Sequence, residues 1–288
     1  LQKIIPFLWY AKQAEEAASF YKSLFEDSSI IDVQTMKDTP SGDAELVTFK
    51  LAGQQFQSIG TGAPFTLNPS ISFMVACETA EEVNAKWEAL SEGGIALMPL
   101  AEYPFSKWFG WIQDRYGLSW QLSLTEQGVT KQKITPHFLF SNVACGKAEE
   151  AIRYYTEVFS DSKINLLKKF EENEEKVNMA AFTLEGINFS AMDNSYDVPF
   201  HFNEAFSFMI NCEDQAEIDY FIEKLSYIPQ AEQCGWVKDQ FGVSWQVVPH
   251  NLSELLGGGT TEENKRVGAA LQKMKRINIA ELKKARQE

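Results

Sequence analysis

Histidine is scarce in this sequence, with only His137, His201 and His250 among 288 residues. Metal centres built from several imidazoles are therefore hard to assemble. The four cysteines, Cys77, Cys145, Cys212 and Cys234, form no CxxC pair. That excludes zinc-ribbon and thioredoxin-type motifs and points to reduced, buried thiols in a cytoplasmic protein. Basic residues are outnumbered 26 to 40, for a net charge of −14. A chain this acidic lacks the Lys and Arg surface that nucleic acid or an anionic membrane requires. No apolar run approaches the roughly 20 residues of a membrane helix. The short apolar stretch after Lys3 ends at Lys12 and Glu15, so no leader is expected. There is no G-x-G-x-x-G, no G-x-x-x-x-G-K-[ST] and no strand-glycine loop of the S-adenosylmethionine type. No cofactor is expected on those grounds.

What the sequence does hold is a sizeable apolar interior. It is 44% hydrophobic and 23% charged, with 21 Phe, 9 Tyr and 7 Trp. These rings can supply either a core or the wall of a small-molecule cavity. The length suggests two domains, and internal repetition confirms the expectation. Ile4-Ile5-Pro6 returns as Ile134-Thr135-Pro136, and Ala14-Glu15-Glu16-Ala17 as Ala148-Glu149-Glu150-Ala151. Phe49-x-Leu51-x-Gly53-x-x-Phe56 returns as Phe182-x-Leu184-x-Gly186-x-x-Phe189, and Ser72-Phe73-Met74 as Ser207-Phe208-Met209. Trp111-x-x-Asp114-x-x-Gly117-x-Ser119-Trp120-Gln121 returns as Trp236-x-x-Asp239-x-x-Gly242-x-Ser244-Trp245-Gln246. Matches kept in one order signal a duplicated unit. Ten residues are missing from the second copy before the last match. In the first copy that region spans Gly93 to Gly110, and its Pro and Gly mark it as largely loop.

Each copy reads as two β-α-β-β-β half-modules. A short strand at Ile4–Tyr10 or Ile134–Phe140 precedes a helix with one apolar face: Ala17, Phe20, Tyr21 and Leu24, or Ala151, Tyr154, Tyr155 and Val158. Strands follow from Ile30 to Ile59 and from Ile164 to Met192, with turns at Pro40-Ser41-Gly42-Asp43 and Gly53. The second half-module opens at Ile71 or Phe206. Its helix is announced by Thr79 with Glu82, or Asp214 with Glu217. The buried stripe of that helix is Val83, Trp87 and Leu90, or Ile218, Ile222 and Leu225. The organisation expected is a first domain 1–124, a linker 125–133, a second domain 134–256 and a helical tail 257–288. In the tail, Thr260 with Glu263 and Asn278 with Glu281 start helices, and Val267, Leu271 and Met274 share a face.

The I-x-P start, the A-E-E-A helix, S-F-M and D-x-x-G-x-S-W-Q together resemble PhnB-like proteins of the glyoxalase/bleomycin-resistance (vicinal oxygen chelate) superfamily, as does the Lys273-Met274-Lys275-Arg276-Ile277-Asn278 ending. The resemblance runs through nearly the whole chain, once per copy. It implies an α+β fold of tandem domains, each with two βαβββ modules whose mixed sheets form a cup, plus a helical tail. Metal-dependent members of the superfamily place ligands on cup-facing strands. The matching slots here hold Ser72 and Gln121, or Ser207 and Gln246, and the first-strand slot falls at or beside Pro6 and Pro136. Neutral hydroxyl and amide groups are poor transition-metal ligands, so no metal is expected.

His137, beside Pro136, is the exception; a general base or a ligand is its functional reading, and a lone packed histidine its bland one. Gln121 and Gln246 lie on the strand face opposite Trp120 and Trp245. They are either ligand contacts or solvated sheet residues. Trp9, Trp108, Trp111 and Trp236 either line an apolar cavity or pack in the core. Asp114 and Asp239 shape the turns before Gly117 and Gly242. Cys77 and Cys212 have no activating neighbour in the pattern, His201 and His250 read as surface residues, and Glu171–Glu175 as a hairpin tip. The resulting expectation is a protein that binds a small apolar or aromatic molecule in a metal-free cup, either as a monomer imitating a dimer or as a homodimer. The alternatives are a metal-dependent lyase, isomerase or dioxygenase, and the 3-demethylubiquinone-9 3-methyltransferase of the family's usual label.

Overall fold

A computed structural model describes the whole chain except residues 40, 41, 63, 127, 129, 130, 195 and 288. Part of the turn expected at Pro40-Ser41 and part of the linker (Gln127, Val129, Thr130) thus lie outside the described residues. The first copy runs β1 (Ile4–Tyr10), α1 (Ala14–Leu24), β2 (Ser29–Thr39), β3 (Gly42–Leu51) and β4 (Gln54–Gly60). Its second half is β5 (Ile71–Cys77), α2 (Ala80–Ser91), β6 (Ile95–Tyr103), β7 (Ser106–Gln113) and β8 (Ser119–Leu124). The second copy begins with β9 (Ile134–Phe140), α3 (Ala148–Val158), β10 (Lys163–Phe170), β11 (Asn173–Leu184) and β12 (Ile187–Asp193). It continues with β13 (Phe206–Cys212), α4 (Gln215–Leu225), β14 (Trp236–Lys238) and β15 (Ser244–Pro249). The tail is α5 (Leu252–Gly257), α6 (Thr261–Lys273) and α7 (Ile279–Gln287).

The strands form two mixed sheets. One has the order β14-β15-β13-β1-β4-β3-β2, the other β10-β11-β12-β9-β5-β8-β7-β6. Sequence copy and sheet do not coincide: each sheet joins the first half of one copy to the second half of the other. The joins are antiparallel at β5–β9, where Ser72 faces His137 and Met74 faces Thr135. On the other sheet, the Asn211 amide donates to the Lys3 carbonyl.

The region from Gly93 to Gly110, expected as loop, is instead the β6–β7 hairpin. Pro99 is tolerated because β6 is an edge strand whose pairing with β7 is broken by register shifts on both sides of it. Gly110 has a packing reason, since a Cβ there would meet the Trp87 ring at 2.4 Å. The fourth half-module is shortened to β-α-β-β where the ten residues are missing, and Gln233 bridges directly to Trp236. Helix starts follow the capping rules. Thr79 and Asp214 accept from the amides of Glu82 and Glu217, and Thr260 with Glu263 completes a reciprocal capping box.

Contact clustering divides the chain into Phe7–Phe206 and a second unit of Leu1–Pro6 with Ser207–Glu288. In the first unit, Tyr21 and Phe25 pack on Trp120 at 5.2 and 5.9 Å, and Phe73 joins Trp120 to Phe56. A second ring cluster gathers Phe138, Phe140, Phe182, Phe189 and Phe202. Each fully buried aromatic side chain contributes about 1.5–3 kcal/mol relative to exposure. In the other unit, Phe208 and Trp245 pair at 5.5 Å. The tail packs Leu255, Val267 and Leu282 of its helices, and Ile277 between α6 and α7, onto Ile5, Met209 and Val248.

Candidate functional site

Strand alternation sorts the side chains of β5, β7, β8 and β9 into two faces. One face carries Phe73 and Trp120 into the aromatic core. The other carries Ser72, Met74, Gln121, Trp111 and His137. Register brings these together: Ser72 lies opposite His137, Met74 beside Gln121, and Gln121 opposite Trp111.

The polar groups of that face bond to one another. Gln121 Nε2 donates to Ser72 Oγ at 2.9 Å, and Trp111 Nε1 donates to Ser119 Oγ at 2.6 Å. His137 Nδ1 lies 2.8 Å from Ser190 Oγ, and Ser190 Oγ lies 3.1 Å from Met74 Sδ. A thioether sulfur only accepts. When Ser190 donates to Met74, the imidazole must donate from Nδ1, which leaves Nε2 an acceptor. Burial pushes the His137 pKa down to about 4, so the ring is neutral near pH 7. Gln121 is 8% exposed, so it is a buried, bonded amide and not a solvated sheet residue.

The β6–β7 hairpin adds an aromatic lip. Tyr103 and Phe105 stack at 5.5 Å, and Phe109 meets Phe105 edge-on at 5.1 Å. Phe109 shares Trp111's face two residues away, and Phe105 remains 61% exposed. Met98 lies opposite Trp111. The face thus has a neutral polar floor and a wall of aromatic and thioether groups, which suits a flat apolar ligand with a polar edge. A surface hollow of about 480 Å³ lies farther along the same sheet, lined by polar groups such as Asn165, Thr183 and Asn188. It includes none of the expected site residues and lacks an apolar wall, so the face around Gln121 is the better candidate.

The remaining expected residues fall elsewhere. Trp108 is on the helix side of its sheet, bonded through Nε1 to Asn84 Oδ1 of α2 at 2.7 Å. Trp9 belongs to the other sheet, where it donates to the Thr61 carbonyl and meets Phe65 edge-on. Ser207, Gln246 and Trp236 reproduce part of the first constellation: Gln246 Nε2 donates to Ser207 Oγ at 3.0 Å, and Trp236 lies opposite Gln246. Asp114 does more than shape a turn. It accepts from the Tyr116 and Leu118 amides and from Trp120 Nε1, and so ties the turn to the core. Asp239 does the same for Phe241, Val243 and Trp245. Burial raises the Asp114 pKa, while the bond from Trp120 pulls it back. Cys77 and Cys212 are pushed up to about 12 by burial, which makes them inert thiols. Ser190, Met74 and the Tyr103–Phe105–Phe109 lip were not among the expected site residues, although period-two alternation from Ser72 and Trp111 reaches Met74 and Phe109.

A family model described as 3-demethylubiquinone-9 3-methyltransferase matches residues 2–123 and again residues 132–248. The chain belongs to that family. Among solved structures of similar proteins is a PhnB protein from Bacillus cereus, 43% identical; the match covers 43% of this chain and all of that one, with a TM-score of 0.41. A Staphylococcus aureus protein is 35% identical over 44% of this chain and 98% of its own, with a TM-score of 0.19. Glyoxalase I from Zea mays shares the fold across 87% of this chain and 95% of its own, at 11% identity and a TM-score of 0.56. No curated protein matches. This member of the PhnB-like family places one imidazole among hydroxyl and amide groups that bond to each other. That donor set does not fit a transition-metal ion, which takes imidazole, thiolate or carboxylate ligands together. Among the described residues, no helix is long and apolar enough to cross a membrane. At the strand-to-helix turns before α2 and α4, the caps Thr79 and Asp214 occupy N-terminal amides, and neither turn has the glycine-rich backbone that a nucleotide cofactor needs.

Proposed function

We propose that this PhnB-like protein binds a small, largely apolar or aromatic molecule on the face formed by Ser72, Gln121, His137 and Trp111, without a metal and in a reducing, cytoplasmic compartment. The observation that carries this reading is the closed set of bonds among neutral groups at the superfamily's ligand-facing positions. A neutral floor beside Trp111 and the Phe105 lip favours an uncharged ring system over a chelating, anionic substrate. His137 Nε2, as an acceptor, suits a hydroxyl or N–H on the ligand's edge.

Titration of the purified protein with a panel of phenolic and naphthyl compounds, followed by Trp fluorescence, tests the proposal. Trp111→Ala should weaken binding about 2- to 12-fold, the scale of one lost aromatic contact. Unchanged binding in Trp111→Ala and in Gln121→Trp would sink it. The competing activities are read in parallel. A stoichiometric transition metal surviving dialysis would favour lyase, isomerase or dioxygenase chemistry, and calorimetric binding of S-adenosylmethionine would favour the methyltransferase.

A further inference from the structure

The two sheets bury their matched Ser–Gln pairs alike and differ at the positions around them. On the sheet around Gln121, Thr135, Met74 and Ser123 are partly exposed. Their counterparts in the repeat are Ile5, Met209 and Val248, all buried. Two polar side chains have thus become apolar at the positions where a cover has been added. Met209 lies opposite Gln246, and Val248 is two residues farther along β15, on the same face. This is the face that also presents Ser207. Leu255, Val267, Ile277 and Leu282 of the tail form one cluster with Ile5, Met209 and Val248.

Specific bonds hold the cover in place. The amides of Cys234 and Gly235 donate to the carbonyls of Met274 and Lys275. Gln215 donates to the Ile277 carbonyl and accepts from the Ile279 amide. Arg276 pairs with both carboxylate oxygens of Glu232. The tail lies beside β14, where this copy has no equivalent of β6 or of its aromatic lip. On the covered face, Ser244 Oγ is buried without a hydrogen-bond partner. Its counterpart Ser119 accepts from Trp111.

We propose that α5–α7 and the strap before α7 are a built-in occupant of the second ligand-facing surface, so that each chain offers one open site, around Gln121 and His137. The identity of the open site rests on the proposed function; the occupancy of the other rests on the tail contacts alone.

The test uses the full chain and the uncharged N-phenyl-1-naphthylamine as probe, with stoichiometry read by fluorescence and tail protection by hydrogen exchange. The native chain should bind one probe, and Gln121→Trp should bind none. Val267→Asp with Leu282→Asp should speed exchange of the tail amides at least tenfold and add one probe site in either background. Ser207→Trp should then remove that added site. A freed tail without an added site overturns the proposal, as does an added site indifferent to Ser207→Trp. If the double variant does not fold, Arg276→Ala decides the matter: faster tail exchange with a rise in probe binding supports the proposal, and faster exchange without it overturns it. Probe binding unaffected by Gln121→Trp would instead count against the proposed open site, leaving the gain on tail release to be read separately.

Discussion

His137 is held in its strand with its ring buried and its Nδ1 occupied by Ser190. The unfolded chain protonates this ring below about pH 6.5, the folded chain only below about 4. Between those values the unfolded state holds more protons, so stability is complete above pH 6.5 and falls as the pH drops toward 4. The loss is on the order of 3 kcal/mol. Thermal melts from pH 7.5 to 4 should show this decline, and His137→Gln should flatten it; an equal slope in both proteins would place the titration elsewhere. Cysteine reactivity makes a second test at this scale. Because burial lifts Cys77 and Cys212 to about 12, iodoacetamide at pH 8 should leave both unmodified in the native protein. Peptide mass mapping checks this, with full alkylation in denaturant as the control.

At the scale of elements, helix starts and strand edges were the most legible features. Thr79, Asp214, Thr260 and Asn278 all cap where the spacing placed them, because a cap depends only on residues three or four apart. Thr260→Ala removes the side-chain half of a reciprocal box. It should cost about 1 kcal/mol, seen as faster exchange of the first-turn amides of α6 with little change in the rest of the chain. The β6–β7 hairpin was the main misreading. Pro99 and the flanking glycines signal a loop when scored locally. An edge strand, however, needs amides on one side only and tolerates interrupted pairing. Gly110→Ala tests the packing argument, since its new methyl must displace the Trp87 ring. A loss of about 1–3 kcal/mol in denaturant unfolding is expected.

At the scale of the molecule, the sheets weave the two copies together: β9 of the second pairs with β5 of the first, and Lys3 at the start of the first pairs with Asn211 of the second. Cutting the chain within Thr125–Lys133 should therefore not separate the halves. An engineered protease site there, cleaved to completion, should leave both fragments in one gel-filtration peak at the position of the uncut protein. Two separate peaks would show that the shared sheets contribute little to cohesion.

The sequence alone determined the duplication, the helix caps and most of the strands and helices, with Gln121 and Gln246 on the strand faces opposite Trp120 and Trp245. Each follows from residue type, local spacing or repetition along the chain. Tertiary structure decided that His137 of one copy faces Ser72 and lies near Gln121 of the other, that Ser190 holds its ring, and that the tail closes over Met209 and Val248. Backbone ladders are chemically alike for every strand, so periodicity names a strand's faces but not its neighbour. Partners more than fifty residues apart are selected only when the packed cores on either side are completed.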